Sequence, residues 1–215
     1  MSAHPRLDEL IATLERLRAP GGCPWDAEQT HASLVRYLVE ETFELVEAIE
    51  AGSRDDLVEE LGDVLYQVLF HADIAAHDAA EGFTIEDVAE RTTAKMVGRH
   101  PHVFGTAEAG GAEDVVALWD EVKRAEKPER TSVLDGIPPG MPALALADKV
   151  VGRAERVGAA PVAAAVPATE PELGAALLAI VAGARVAGFD PERALRSAIR
   201  AMAEEVRERE ARATE

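Results

Sequence analysis

Five acidic residues stand where ordinary surface patterning does not call for them. The segment "YLVEETFELVEAI" (37–49) has helical apolar spacing, yet it carries Glu40, Glu41 and Glu44 on and beside the edge of its apolar face. "EELGDVLYQVLF" (59–70) repeats the arrangement with Glu60 and Asp63. At about 100° per residue, Glu41 and Glu44 lie about 60° apart on one helix, and Glu60 and Asp63 lie about 60° apart on the other. Leu38 and Leu45 flank Glu41 as Leu57 and Val64 flank Glu60. Depth matches as well. Glu44 and Glu60 are each eight residues from Gly52, and Glu41 and Asp63 are each eleven. A hairpin turning at Gly52 therefore brings four carboxylates together at two levels. Like charges at that range raise one another's pKa. A hard divalent cation with oxygen ligands relieves them, with Mg2+ the first expectation and Mn2+ its replacement.

Other chemistry fits this pattern less well. A solvated acidic hairpin accounts readily for one E-x-x-E and less readily for two pairs matched in angle and depth. A di-iron centre would place His at i+3 of each acidic motif, and neither has it. "DDLVE" (55–59) resembles the Asp-rich motif of helical prenyl-type transferases, but no second such motif follows.

The elements that must position these groups are helical. Leu7 to Leu17 carries Leu7, Leu10, Ile11, Leu14 and Leu17 on one side. "APGGCPWD" (19–26), with two Pro and two Gly, reads as a fixed, non-helical loop. A helix follows from about Thr30 to Ala51. Gly52 takes the C′ position, Ser53 or Asp55 caps the next helix, and that helix runs to His77. The short turn makes the pair an antiparallel hairpin. Further helices are expected from Thr84 to Arg99, over 113–126 and from Ala143 to Val157. "KPERTSVLDGIPPGMP" (127–142) reads as a Pro/Gly-rich connector and 159–171 as a flexible linker.

Composition agrees with an all-α fold. The chain has 215 residues, 47% of them hydrophobic but only 4% aromatic, so the core must be Leu, Val, Ile and Ala. A formal net charge of −18 disfavours nucleic acid and anionic membrane as partners. Cys23 is the single cysteine; it permits no internal disulfide and has no neighbouring base. The N-terminus has no signal-peptide h-region, and no long apolar span occurs, so a cytoplasmic protein is expected.

The C-terminal part carries a damaged repeat. "ELGDVLYQVLFHADIAA" (60–76) aligns with "ELGAALLAIVAGARVAG" (172–188), and 83–99 aligns with 189–205. Ala175 replaces Asp63, Ala201 replaces Lys95 and Glu205 replaces Arg99. Nothing corresponds to "EETFE". This copy is expected to bind no metal.

Taken together, the acidic motifs and the words "GCPWD" (22–26), "ERTTAKMVGRHPHVFG" (90–105), "LWDEVKRAE" (118–126) and "LDGIPPGMPAL" (134–144) resemble the MazG family of nucleoside triphosphate pyrophosphohydrolases. The resemblance is close over about 7–158. It implies an all-α helix-hairpin or four-helix-bundle MazG fold, dimeric, with a degenerate C-terminal helical repeat. The parts would be a catalytic domain over 1–128, a connector with one helix over 129–158, and a linker plus truncated second repeat over 159–215. It implies Mg2+-dependent hydrolysis of NTPs or dNTPs to monophosphate and pyrophosphate by attack at the α-phosphorus. Glu41, Glu44, Glu60 and Asp63 are then the metal ligands, and Glu40 orients water or a ligand. Lys95 and Arg99, at i and i+4, would hold the β- and γ-phosphates, with Lys123 and Arg124 as weaker candidates. Trp119 would stack on the base. Trp25, His100 and His102 are read as shaping loops. A homodimer is the expected assembly. The remaining alternatives are a helical nucleotide-binding regulator without turnover and, less well supported, a prenyl-type transferase.

Overall fold

A computed structural model describes residues 4–161 and 165–214, with the side chains of 112, 113, 116, 117, 120, 124 and 214 left aside. All regular elements among the described residues are helices. Two compact units divide at Trp119/Asp120.

The first unit is built on the hairpin. α1 (Pro5–Arg18) is followed by the short α2 (Pro24–Glu28), then α3 (His31–Ala51) and α4 (Arg54–His77). α3 opens with a capping box in which Thr30 accepts from the Ser33 amide and Ser33 accepts from Thr30. α4 opens the same way through Ser53 and Asp56, so Ser53 rather than Asp55 is the cap. α5 (Ile85–Arg99) does so through Thr84 and Asp87. Each box satisfies two helix-end donors that would otherwise face water or go unpaired.

Two local expectations are corrected. Residues 24–28 form a helical turn rather than an irregular loop, because Pro24 sits at the first helical position, where its missing N–H costs nothing. Gly52 is extended (φ −81°, ψ 171°), not left-handed. Close approach is what requires glycine here: a Cβ would lie 2.7 Å from both Cα and O of Ala48. The chain also makes an extra turn, α6 (Pro101–Phe104), where the proline only starts a new helix instead of leaving a loop.

Leu14 of α1, Leu34 of α3, and Leu69 and Phe70 of α4 form the core of this unit. Each such side chain contributes roughly 1.5–3 kcal/mol by leaving water. The Arg18 guanidinium secures the 19–29 segment: Nε donates to Asp73 Oδ2 at 2.5 Å and a second nitrogen donates to the Asp26 carbonyl at 2.5 Å. The acid and the base are both largely buried, so losing either would strand the other's charge. At the open end of the hairpin the rings of His31 and His71 stack 4.9 Å apart with Nδ1 atoms 2.6 Å apart, and His31 Nε2 lies 2.9 Å from Glu81.

α7 (Ala112–Ala125) spans the boundary between units. The second unit adds α8 (Ala143–Glu155), α9 (Glu170–Val186) and α10 (Pro191–Thr214). Its core joins Leu134 of the connector to Leu146 and Val150 of α8 and to Ile199 and Val206 of α10. Connector and tail therefore share one core. α9 buries none of its residues. The expected linker 159–171 includes 162–164, which lie outside the described residues. Among the described residues no single helix is long and apolar enough to cross a membrane.

Candidate active site

The hairpin brings three of its acids together. One carboxylate oxygen each from Glu41, Glu60 and Asp63 falls within 4.8 Å of the other two. Glu44 lies outside that group of three, and its charge acts on both Glu41 and Glu60. Burial and the charges of Asp63, Glu44 and Glu60 hold the Glu41 pKa above the ordinary glutamate value. Glu60 is likewise raised, by desolvation and then by Glu44, Asp63, Glu59 and Asp56. The strongest like-charge neighbour of Glu41 is Asp63, and that of Glu60 is Glu44.

The donor set fits a hard cation. One Glu60 carboxylate oxygen is buried and lacks any hydrogen-bond partner. A buried anionic oxygen without a donor costs more than any neutral orphan, and a divalent ion would satisfy it. Glu40 is exposed and stands outside the group.

The basic and aromatic candidates form a second cluster in the same unit. The Arg99 guanidinium lies over the Trp119 ring at 5.4 Å, and His100 meets that ring edge-on at 5.0 Å. His100 Nδ1 is 2.6 Å from the Met96 carbonyl, which orients the imidazole. Sequence reasoning gave Arg99 and Trp119 separate tasks and did not foresee that His100 packs on Trp119. The signal was available: His100 follows Arg99 directly, and both sit at the end of α5. Lys95, one turn earlier, is exposed. His102 keeps a buried, unpartnered Nδ1. Trp25 is half exposed and meets Tyr37 edge-on at 5.6 Å, so the loop touches α3 through it. Lys123 belongs to the second unit, where it lines a cavity. The Arg124 side chain lies outside the described residues.

Known proteins match this chain over much of its length. Residues 29–104 match the family model described as the MazG nucleotide pyrophosphohydrolase domain. A Thermotoga maritima protein named nucleoside triphosphate pyrophosphohydrolase/pyrophosphatase MazG is 39% identical over 222 residues, covering 94% of this chain and 85% of that one. An uncharacterized 26.1 kDa protein of Streptomyces cacaoi is 50% identical over 198 residues, 90% of this chain and 78% of its own. A Mycobacterium tuberculosis nucleoside triphosphate pyrophosphohydrolase is 49% identical over 153 residues, 71% of this chain; the chain spans about half of that relative, 46%. The fold is that of an all-α hydrolase, and the long matches place it: the chain belongs to the MazG family.

Proposed function

We propose that the chain hydrolyses nucleoside triphosphates, ribo or deoxy, to the monophosphate and pyrophosphate, with water attacking the α-phosphorus. The single observation carrying this reading is the carboxylate group of Glu41, Glu60 and Asp63, with its orphaned Glu60 oxygen, on the hairpin that matches the family. Glu41, Glu44, Glu60 and Asp63 would hold Mg2+, or Mn2+ in its place. Such an ion, when bound, activates water and offsets charge on the phosphate oxygens. Glu40, exposed beside the cluster, orients the water. Lys95 and Arg99 hold the β- and γ-phosphates, and Lys123 keeps the weaker assignment made from the sequence. Trp119, steadied by Arg99 and His100, stacks on the base, a contact that tolerates every base. The physiological task would be control or cleansing of the cytoplasmic nucleotide pool.

A homodimer belongs to this proposal. Val35, Val39, Phe43, Val46 and Ile49 of α3 are all at least two-fifths exposed. So are Val58, Leu61 and Val68 of α4. Two apolar stripes on adjacent helices make a face that a monomer seldom leaves in water, and a second hairpin would cover it.

Phosphorus NMR of the products formed from the common NTPs and dNTPs with Mg2+ tests the reaction. Pyrophosphate plus monophosphate is expected. Orthophosphate plus diphosphate would overturn the choice of bond, and no turnover with either metal would overturn the activity.

A further inference from the structure

The second unit holds a cavity of about 680 Å³ between the connector, α8 and the end of α10. This is within the size range of small-ligand sites, about 300–1,000 Å³. Its basic lining is Lys123, Lys127, Arg130, Lys149, Arg153 and Arg156, against three acids, Asp135, Asp148 and Glu210. On a chain of net charge −18, six cations around one hollow is a local reversal of sign. Low-dielectric walls focus such a field and draw anions inward.

Two of the three acids already serve the cavity wall. Asp135 Oδ2 accepts from the backbone amides of Thr131 and Ser132 at 2.9 and 3.0 Å. Glu210 accepts from the Ser132 hydroxyl at 2.6 Å and from the Val133 amide at 2.9 Å. Arg153 is also structural, donating to the carbonyls of Val133 and Asp135 at 2.7 and 3.0 Å. These bonds fix the connector as a rigid rim. Gly136, at φ +78°, lets the Arg130 guanidinium lie against the backbone where any Cβ would collide with it. Gly152 leaves open space on the α8 side. Lys127 and Lys149 are exposed, one on the connector and the other on α8.

We infer that this cavity binds a compact polyphosphate anion, a diphosphate group either free or carried by a nucleotide, through Lys127, Arg130, Lys149 and Arg156. The chemistry is charge-assisted hydrogen bonding of phosphate oxygens by a pre-set guanidinium and converging ammonium groups. The site is separate in sequence from the acidic hairpin and does not rest on its activity.

The test is calorimetric titration of the full chain with inorganic pyrophosphate, and in parallel with ATP, in EDTA. Saturable binding of at least one is expected, and the tighter of the two identifies the free or the nucleotide-borne diphosphate. The double variant Lys127→Ala/Lys149→Ala should weaken binding by about tenfold or more. Lys127→Arg/Lys149→Arg should retain it. Turnover of NTPs with Mg2+ should be unchanged in both. Absence of binding by the wild-type chain overturns the inference. So does binding undiminished by the alanine pair, and so does turnover lost together with binding, which would assign these lysines to the hydrolytic site.

Discussion

The segments 54–99 and 170–205 share a frame and differ in what it carries. In each, a long helix is followed within a few residues by a glycine of positive φ, Gly82 (+61°) or Gly188 (+75°), and the aligned Phe83 or Phe189 comes next. In each, a second helix then departs, α5 or α10. α4 has α3 along it and buries Gln67, Leu69, Phe70, Ala72, Asp73 and Ala75. α9 has no acidic helix to pair with and buries nothing. The Ala at 175 stands where Asp63 does, yet the missing partner helix matters more than the missing Asp. Two carboxylates on one helix make a charged edge; four across two helices are the ligand set we propose.

That contrast can be broken at the site itself. Glu41→Gln or Asp63→Ala should lower turnover by at least about 10³-fold with helical circular dichroism unchanged. The reciprocal change Ala175→Asp should confer no metal-dependent activity on either background, because nothing faces it. Restored turnover in Asp63→Ala/Ala175→Asp, followed by product NMR, would refute the importance of the partner helix.

The apolar faces offer the next contrast. Phe43→Asp should convert a dimer to a monomer by light scattering. Leu178→Asp, at an α9 residue that is 70% exposed, should leave the mass unchanged. Identical behaviour of the two variants would remove the α3–α4 face as the dimer contact.

A smaller effect separates function from stability. The pKa of Glu41 is raised, so its charge opposes folding wherever it is ionised. Without metal, Glu41→Gln should therefore raise the melting temperature, by about 1–2 °C given how much solvent reaches the site. Added Mg2+ should stabilise the wild type and not the variant. Melting curves with EDTA and with Mg2+ decide both points.

The least effect lies at the hairpin's ends. Burial, and then the neighbouring His31, hold the His71 pKa below 6.5, so the unfolded chain binds that proton more readily than the folded one. Stability should fall as pH drops below about 6.5. A His71→Phe variant should lose this step in a urea-midpoint profile. The capping carboxylates Asp56 and Asp87 have lowered pKa values from hydrogen bonds to Ser53 and Thr84. Their contribution is present above pH 3.8 and is lost as the pH falls through their folded values.

How much of this was legible beforehand follows from the range of each interaction. Caps, periodicity and the Gly52 turn are local, and from them the residue sequence determined the helices, the hairpin and the approach of Glu41, Glu60 and Asp63. The departure was also local: Pro24 starts a helical turn inside the segment read as a non-helical loop. What only the tertiary structure decided involves groups distant in sequence. The Arg18–Asp73 pair spans 55 positions and has no periodic signature. Arg99, His100 and Trp119 meet because α7 returns to the end of α5. The basic cavity combines residues from 123 to 210 and leaves no motif in the chain. Helical spacing writes itself into neighbouring residues, whereas the field inside a cavity depends on which helices pack.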